Sequence, residues 1–240
     1  MKKILYLFFV FLNLNAELVL EITESSDNPY RIAIHDFDGQ TLISNEISSI
    51  IKADLQRTGE FSVLSSNELL AEETYQGELN YKNYRLLGVD YILKGMINSK
   101  DEMNITVSYD IYDSVKEKKI RSSKIYGIPN KTRQLAHYVS DGIYEEITGL
   151  KGVSSTKMLY VSEGLEGSEK VYRLMLADAD GMNEQTLLKS NSAIISPSWS
   201  PDSKEIAYVS FETGLAKVFI QNIATGSREV AVKNKYQISS

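Results

Sequence analysis

The stretch Ser196-Pro197-Ser198-Trp199-Ser200-Pro201-Asp202-Ser203-Lys204-Glu205-Ile206-Ala207-Tyr208-Val209-Ser210 constrains this chain more than any other. Pro201 presets φ for the first central position of a tight turn, and Asp202 is placed to cap the turn's amides. The residues that follow alternate as a strand does. Trp199, the single tryptophan of the chain, offers a large apolar surface for packing one sheet on the next. A surface hairpin beside one buried tryptophan has the same local pattern, so recurrence decides between the two.

The pattern recurs. Lys157-Met158-Leu159-Tyr160-Val161-Ser162 aligns with Glu205-Ile206-Ala207-Tyr208-Val209-Ser210 at an offset of 48, and Asp180-Gly181 aligns with Thr225-Gly226 at an offset of 45. Each copy holds a short strand, a glycine-containing connection (Glu163 to Ser168; Glu212 to Gly214) and a second strand (Val171 to Ala177; Lys217 to Ile223). Periods of this size mark folds whose units cannot bury their own faces alone. The strand order predicts β-propeller blades. The 88 residues from Val153 to Ser240 hold about two blades at roughly 40 to 45 residues each, where a propeller takes about four or more. The chain therefore reads as a fragment or a prematurely terminated product, with open strand edges and an apolar flank that favour association.

At the other end, Lys2-Lys3, the apolar run Ile4 to Leu14 and Asn15-Ala16 have the layout of a secretory signal over residues 1–16, with cleavage after Ala16. The eleven residues of this run fall short of the about 20 that span a bilayer. The expected protein is exported and peripheral to the membrane; an uncleaved anchor or a buried strand is the alternative. The absence of cysteine excludes N-terminal cysteine lipidation, disulfides and thiolate metal sites. Cleavage removes two of the 26 basic residues and none of the 32 acidic ones, leaving a net charge of −8. With basic residues scattered, nucleic acid is excluded as a partner. The mixed run Lys116-Glu117-Lys118-Lys119 reads as a solvated hairpin tip.

Between signal and repeats lies one domain's length of chain, residues 17–150, without a repeat. Its pattern is α/β. Arg31 to Phe37 reads as a strand, Ser44 to Thr58 as a helix with Ile47, Ile50, Ile51 and Leu55 on one face and Gly59 as its stop, and Phe61 to Leu64 as the next strand. Tyr81 to Leu87 reads as a short helix ending at Gly88, and Val89 to Ile97 as a buried strand. Met103 to Tyr112 alternates, placing Met103, Ile105, Val107, Tyr109 and Ile111 toward a core and Asn104, Thr106, Ser108 and Asp110 toward water. Ile120 to Tyr126 pairs with it, and Thr132 to Thr148 is a helix carrying Leu135, Val139, Ile143 and Ile147, stopped by Gly149. The expected architecture is an α/β N-terminal domain followed, over residues 153–240, by the first two blades of an incomplete all-β propeller.

One segment has the residues of an enzyme. Ile32-Ala33-Ile34-His35-Asp36-Phe37-Asp38-Gly39-Gln40-Thr41-Leu42 resembles the first motif of haloacid-dehalogenase-type phosphatases, in which a strand delivers Asp-x-Asp, one carboxylate as nucleophile and the other as general acid/base. Asp36 and Asp38 would take those roles. Gln40 stands where that family has Thr or Val, no later Lys and paired-acid motif follows, and Asp178-Ala179-Asp180-Gly181 falls within the repeats as a hairpin turn. The bland reading is a strand end followed by an Asp-Gly turn. His35 and His137 are too few and too scattered for a zinc site. No Ser-His-Asp order or phosphate loop stands out, and no cofactor is expected.

Five pieces together resemble the TolB family: residues 53–61 (Ala53-Asp54-Leu55-Gln56-Arg57-Thr58-Gly59-Glu60-Phe61), Leu87-Gly88-Val89-Asp90-Tyr91, residues 141–152 from Asp141-Gly142-Ile143 to Leu150-Lys151-Gly152, Asp178-Ala179-Asp180-Gly181-Met182-Asn183, and the Trp199 turn. The likeness covers nearly all of Glu17 to Val232. Ser203 stands where the family usually has Gly, and about two of the family's six blades are present. The resemblance implies a non-enzymatic periplasmic adaptor of the Tol-Pal cell-envelope system. It would link inner-membrane TolA, TolQ and TolR to the outer-membrane lipoprotein Pal, serving envelope integrity, protein import and cell division. It further implies that the mature N-terminal segment, here Glu17, Leu18, Val19, Leu20, Glu21, Ile22 and Thr23, contacts the C-terminal domain of TolA and is sequestered or released according to Pal binding on the propeller. The segment's own pattern is short and extended and runs into the turn-rich Ser25-Ser26-Asp27-Asn28-Pro29, which suits strand addition to a partner's sheet. A first strand of the domain's own sheet is the alternative.

Overall fold

The computed structural model describes residues 28–39, 41–64, 68–69, 74–101 and 103–231. The expected signal and the segment Glu17 to Thr23 lie outside them. Five strands, β1 (Tyr30–Ile34), β2 (Phe61–Leu64), β3 (Tyr91–Asp101), β4 (Asn104–Asp113) and β5 (Lys118–Gly127), form a mixed sheet in the order β2-β1-β3-β4-β5. β2, β1 and β3 are parallel, whereas β3, β4 and β5 form an antiparallel meander. Parallel neighbours need a crossover, and α1 (Thr41–Arg57) supplies it between β1 and β2. The apolar stripe of α1 (Ile47, Ile50, Ile51, Leu55) packs beside that of α3 (Thr132–Thr148; Leu135, Val139, Ile143) over Ile32, Ile34, Leu93, Tyr109 and Ile111 of the sheet. Gly149, left-handed at φ 76°, ends α3 by donating its amide to the Glu145 carbonyl at 2.9 Å, as a C-terminal stop does.

Three expectations are corrected here. β1 ends at Ile34 rather than Phe37, because the chain then lies along β3 without strand geometry: the Asp38 amide donates to Gly95 O and the Ile97 amide to Asp38 O. More consequentially, the polar face of β4 meets water only at its start, where Asn104 is exposed and Thr106 half-buried. Ser108 and Asp110 are buried. That face is covered by Tyr75, Gly77 and α2 (Tyr81–Leu86), with Tyr84, Val89 and Ile92 forming a second small core. Lys94, 1 % exposed, stands opposite Asp110 in register and donates to Gly77 O at 2.6 Å. Alternation along one strand shows that two faces differ; what covers each is set by distant chain. Met103, assigned to the core side, is exposed.

Beyond α3 the chain forms two antiparallel sheets. β6 (Lys157–Glu166), β7 (Glu169–Asp178) and β8 (Gln185–Ser190) make a three-stranded sheet, and β9 (Ile194–Trp199), β10 (Glu205–Ser210), β11 (Lys217–Asn222) and β12 (Arg228–Val230) a four-stranded one. The repeat is visible in three dimensions: β6-β7-β8 corresponds to β10-β11-β12, and Gly181 and Gly226 turn the equivalent hairpins at φ 82° and 69°. One core joins the sheets, with Leu174 of β7 beside Ile206, Tyr208 and Phe219, and Trp199 packed against them. That is the packing between sheets expected of Trp199.

The turn after Trp199 is built as its sequence demands. Asp202 accepts from the Ser200 hydroxyl at 2.7 Å and from the Lys204 amide at 3.2 Å. Ser203 adopts φ 58°, which crowds a Cβ and favours glycine. Ser203→Gly is therefore expected to stabilise the protein by about 1 kcal/mol, strain relief exceeding the added freedom of the unfolded chain. Chemical denaturation of the second sheet, followed through Trp199 fluorescence, measures it; a loss of stability would show that the strain is absent.

Candidate functional site

The structure places Asp36 and Asp38 apart in role. Asp36 is exposed and ion-paired with Lys52 of α1 at 2.8 Å. Asp38 accepts the Tyr75 amide at 2.7 Å, on the side of the strap that covers the opposite face. Each carboxylate fastens a different piece of chain to the end of β1. Phe37, between them, is buried, with its amide donating to Ser48 Oγ at 3.0 Å.

A different set of groups converges where α1, α3 and the β7–β8 hairpin meet. Asp54, 1 % exposed, sits on the apolar stripe of α1. One of its oxygens accepts from His137 Nδ1 at 2.7 Å and Ser140 Oγ at 2.8 Å, and the other from Arg57 at 3.0 Å. His137 and Ser140 lie on α3, one helical turn apart, and Arg133 is a turn earlier on the same face. Arg133 pairs with Asp180 of the hairpin and stands 3.9 Å from Asp178. Asp178 pairs with Lys157 of β6 and accepts from Asn183 at 2.6 Å. The Asp180 carboxylate also accepts the Met182 amide at 3.0 Å. Residues 154 and 155 of the connection into β6 are held too: Asp141 accepts their amides at 2.7 and 3.0 Å.

Burial would raise the carboxyl groups of Asp54, Asp178 and Asp180, but their partners outweigh it. Hydrogen bonds from His137 and Ser140 hold Asp54 below the ordinary carboxylate range; Lys157 and Asn183 do so for Asp178, and the Met182 amide with Arg133 for Asp180. The cluster borders a cleft of about 480 Å³ with polar walls, including Lys131, Thr132, Gln134, Ser155 and Asn183. Asp54, His137 and Asp180 are close enough to one another to be considered as metal ligands. They fit one poorly. The inner oxygen of Asp54 is committed to His137 and Ser140 and that of Asp180 to Arg133, so an ion would have to displace an arginine and break a buried hydrogen-bond pair.

The sequence alone presents Asp178 to Gly181 as a hairpin turn and His35 and His137 as too scattered for a zinc site. The turn is real, but its carboxylates also reach α3. A signal for Asp54 was present: a carboxylate at an i+3/i+4 position from Ile50 and Ile51, on the stripe that should have been apolar.

A mixed-sheet α/β domain joined by a buried ionic cluster to the opening sheets of a β-propeller defines a two-part architecture of known type. The TolB amino-terminal domain family matches residues 18–120, and the TolB beta propeller domain family matches residues 144–240. Among curated relatives, Tol-Pal system protein TolB of Alcanivorax borkumensis is 38% identical over 89% of this chain and 49% of its own length. That of Bordetella avium is 37% identical over 89% and 47%. The crystal structure of TolB from Acinetobacter baumannii has a TM-score of 0.79 at 34% identity, covering 88% of this chain and 51% of that one. The chain belongs to the TolB family, and it spans about half the length of the relatives it matches.

Proposed function

We propose that this chain acts as a periplasmic, non-enzymatic adaptor of the Tol-Pal system, with Glu17 to Thr23 as its contact for the C-terminal domain of TolA. The observation that carries the reading is the likeness to proteins named Tol-Pal system protein TolB along 89% of the chain. The division into a signal over residues 1–16, an adaptor domain over 17–150 and blades over 153–240 is part of the proposal. No helix among the described residues is long and apolar enough to cross a membrane. Leu18, Leu20 and Ile22 alternate with Val19 and Glu21, so backbone pairing to a sheet edge with side chains in alternate pockets accounts for binding.

A polypeptide of this sequence is expected to capture the C-terminal domain of TolA and to leave Pal unbound. A contact surface assembled from several blades needs more than the two sheets described, because binding energy concentrates in a few central residues. Deleting Glu17 to Thr23 should abolish TolA capture in calorimetry while leaving the melting of the α/β domain unchanged. TolA binding untouched by the deletion, or Pal binding at about micromolar strength, overturns the mechanism. Magnesium-dependent hydrolysis of a generic phosphomonoester, lost in Asp36→Asn, would support the phosphatase reading instead.

A further inference from the structure

We propose that Tyr30, Tyr91, Asp90 and Asp113 form a receptor for a basic side chain of the protein held by Glu17 to Thr23, a second contact that rests on the reading of that segment given above. Strand pairing brings the four together. β1 and β3 run parallel with Ile32 opposite Tyr91, and β3 and β4 antiparallel with Tyr91 opposite Asp113. Tyr30, two residues before Ile32, therefore shares a face of the sheet with Tyr91 and Asp113. The two rings stand 5.7 Å apart, centroid to centroid, at 69° to each other, and so form two walls of a corner. With Asp90, Asp113, Val115 and Lys116 they bound a pocket of about 210 Å³, room for an ammonium or guanidinium head.

The chemistry of the corner selects a cation. Tyrosine ring faces attract an ammonium or guanidinium group within about 6 Å. Asp90 adds a carboxylate that has no ion pair among the described residues: one oxygen accepts the Arg31 amide at 2.8 Å, and the other is uncommitted. Asp113 is engaged by contrast, accepting the Val115 and Lys116 amides at 3.1 and 2.8 Å and the Lys116 ammonium at 2.9 Å. The turn after β4 thus keeps one ammonium at this pocket and leaves the second carboxylate for another. Lys116 is exposed, and a surface pair of this kind is worth little in water, so it competes with an incoming cation without blocking it. An anion would meet two carboxylates, and an apolar group would bury Asp90 without a partner.

The position favours a side chain of the bound partner over a free cation. Tyr30 is exposed and is the residue of β1 into which the contact segment runs. Between Thr23 and Tyr30 the chain reaches at most about 25 Å. A folded domain of about 100 residues is roughly 30 Å across, so one paired to Glu17 to Thr23 comes over the corner. Segment and corner belong to one chain, and the second contact therefore forms at the high effective concentration that a short tether gives.

Calorimetry of the full chain with the C-terminal domain of TolA tests the receptor. Asp90→Asn keeps an oxygen for the Arg31 amide and removes the charge. It should weaken binding about fivefold at about 50 mM salt and less at about 500 mM, where exposed charges are screened. Lys116→Ala removes the resident cation from an exposed turn and should tighten binding about twofold to threefold. A purely structural role for either residue predicts no tightening. If TolA binds the parent and both variants stay within about 1.5-fold of it, the receptor is overturned and the reading of the segment stands. Weaker binding by Lys116→Ala overturns the receptor as well. If TolA does not bind the parent, the reading of the segment fails and the receptor with it. If Asp90→Asn does not fold, Lys116→Ala decides alone, since it leaves Asp90 and both rings in place.

Discussion

Asp54→Ala should cost the α/β domain about 3–5 kcal/mol, the penalty of breaking a buried, hydrogen-bonded charge pair from one side. The loss is large because three donors converge on this buried carboxylate. Arg57 is about half exposed and rehydrates at small cost. His137 Nδ1 is buried and is left short of a partner where no water replaces the lost oxygen, whereas Ser140 Oγ still reaches the Ala136 carbonyl at 3.0 Å. The pH dependence has a fixed sign. Burial opposes the charge on Asp54, but His137, Ser140 and Arg57 together hold the carboxyl below its ordinary value of 3.8. A depressed carboxyl contributes stability that is complete above the unfolded-state value and is lost as pH falls through the folded one. The difference between parent and Asp54→Ala in urea denaturation should therefore be constant near neutrality and shrink below about pH 4. A difference under about 1 kcal/mol at neutral pH would mean that the cluster is screened as a surface pair is.

How much of this was legible beforehand follows from the range of each signal. The stripes of α1 and α3, their glycine stops and the alternation of β4 are local, and they located the α/β domain and its main core. The repeat at offsets of 48 and 45 residues located the sheets, and Trp199 joins their core as its size demands. The cluster was not legible, because Asp54, His137 and Asp180 are brought together across sequence separations of 83 and 43. No periodicity within one segment reports what another places against it. The same holds for Lys94 and Asp110: period-two alternation put Asp110 on the second face, and only the chain around Tyr75 and Gly77 buries it. Asp54 alone could have been flagged, since a charge in an apolar stripe costs several kcal/mol unless it is paired.

Gly95→Ala is expected to be nearly as instructive, destabilising the domain by about 1–3 kcal/mol through overpacking. A methyl group at position 95 would overlap the Phe37 ring, whose Cδ2, Cε2 and Cζ atoms occupy that space. Phe37 has little freedom to retreat. It is buried in the main core, its amide is bonded to Ser48, and the next residue is tied to Gly95 O and to the Ile97 amide. Gly39, at φ 126°, is fixed by the same contact, since a side chain there would meet the Ile97 carbonyl. The segment from His35 to Gly39 thus needs its aromatic and its glycine to dock on β3, which accounts for those residues without catalysis. Replacing Phe37 by the smaller leucine should relieve the clash. The double variant Gly95→Ala/Phe37→Leu should cost less than the sum of the single variants, by at least about 0.5 kcal/mol in denaturant midpoints converted at constant m. Strict additivity would show that the ring is not what occupies the space over Gly95.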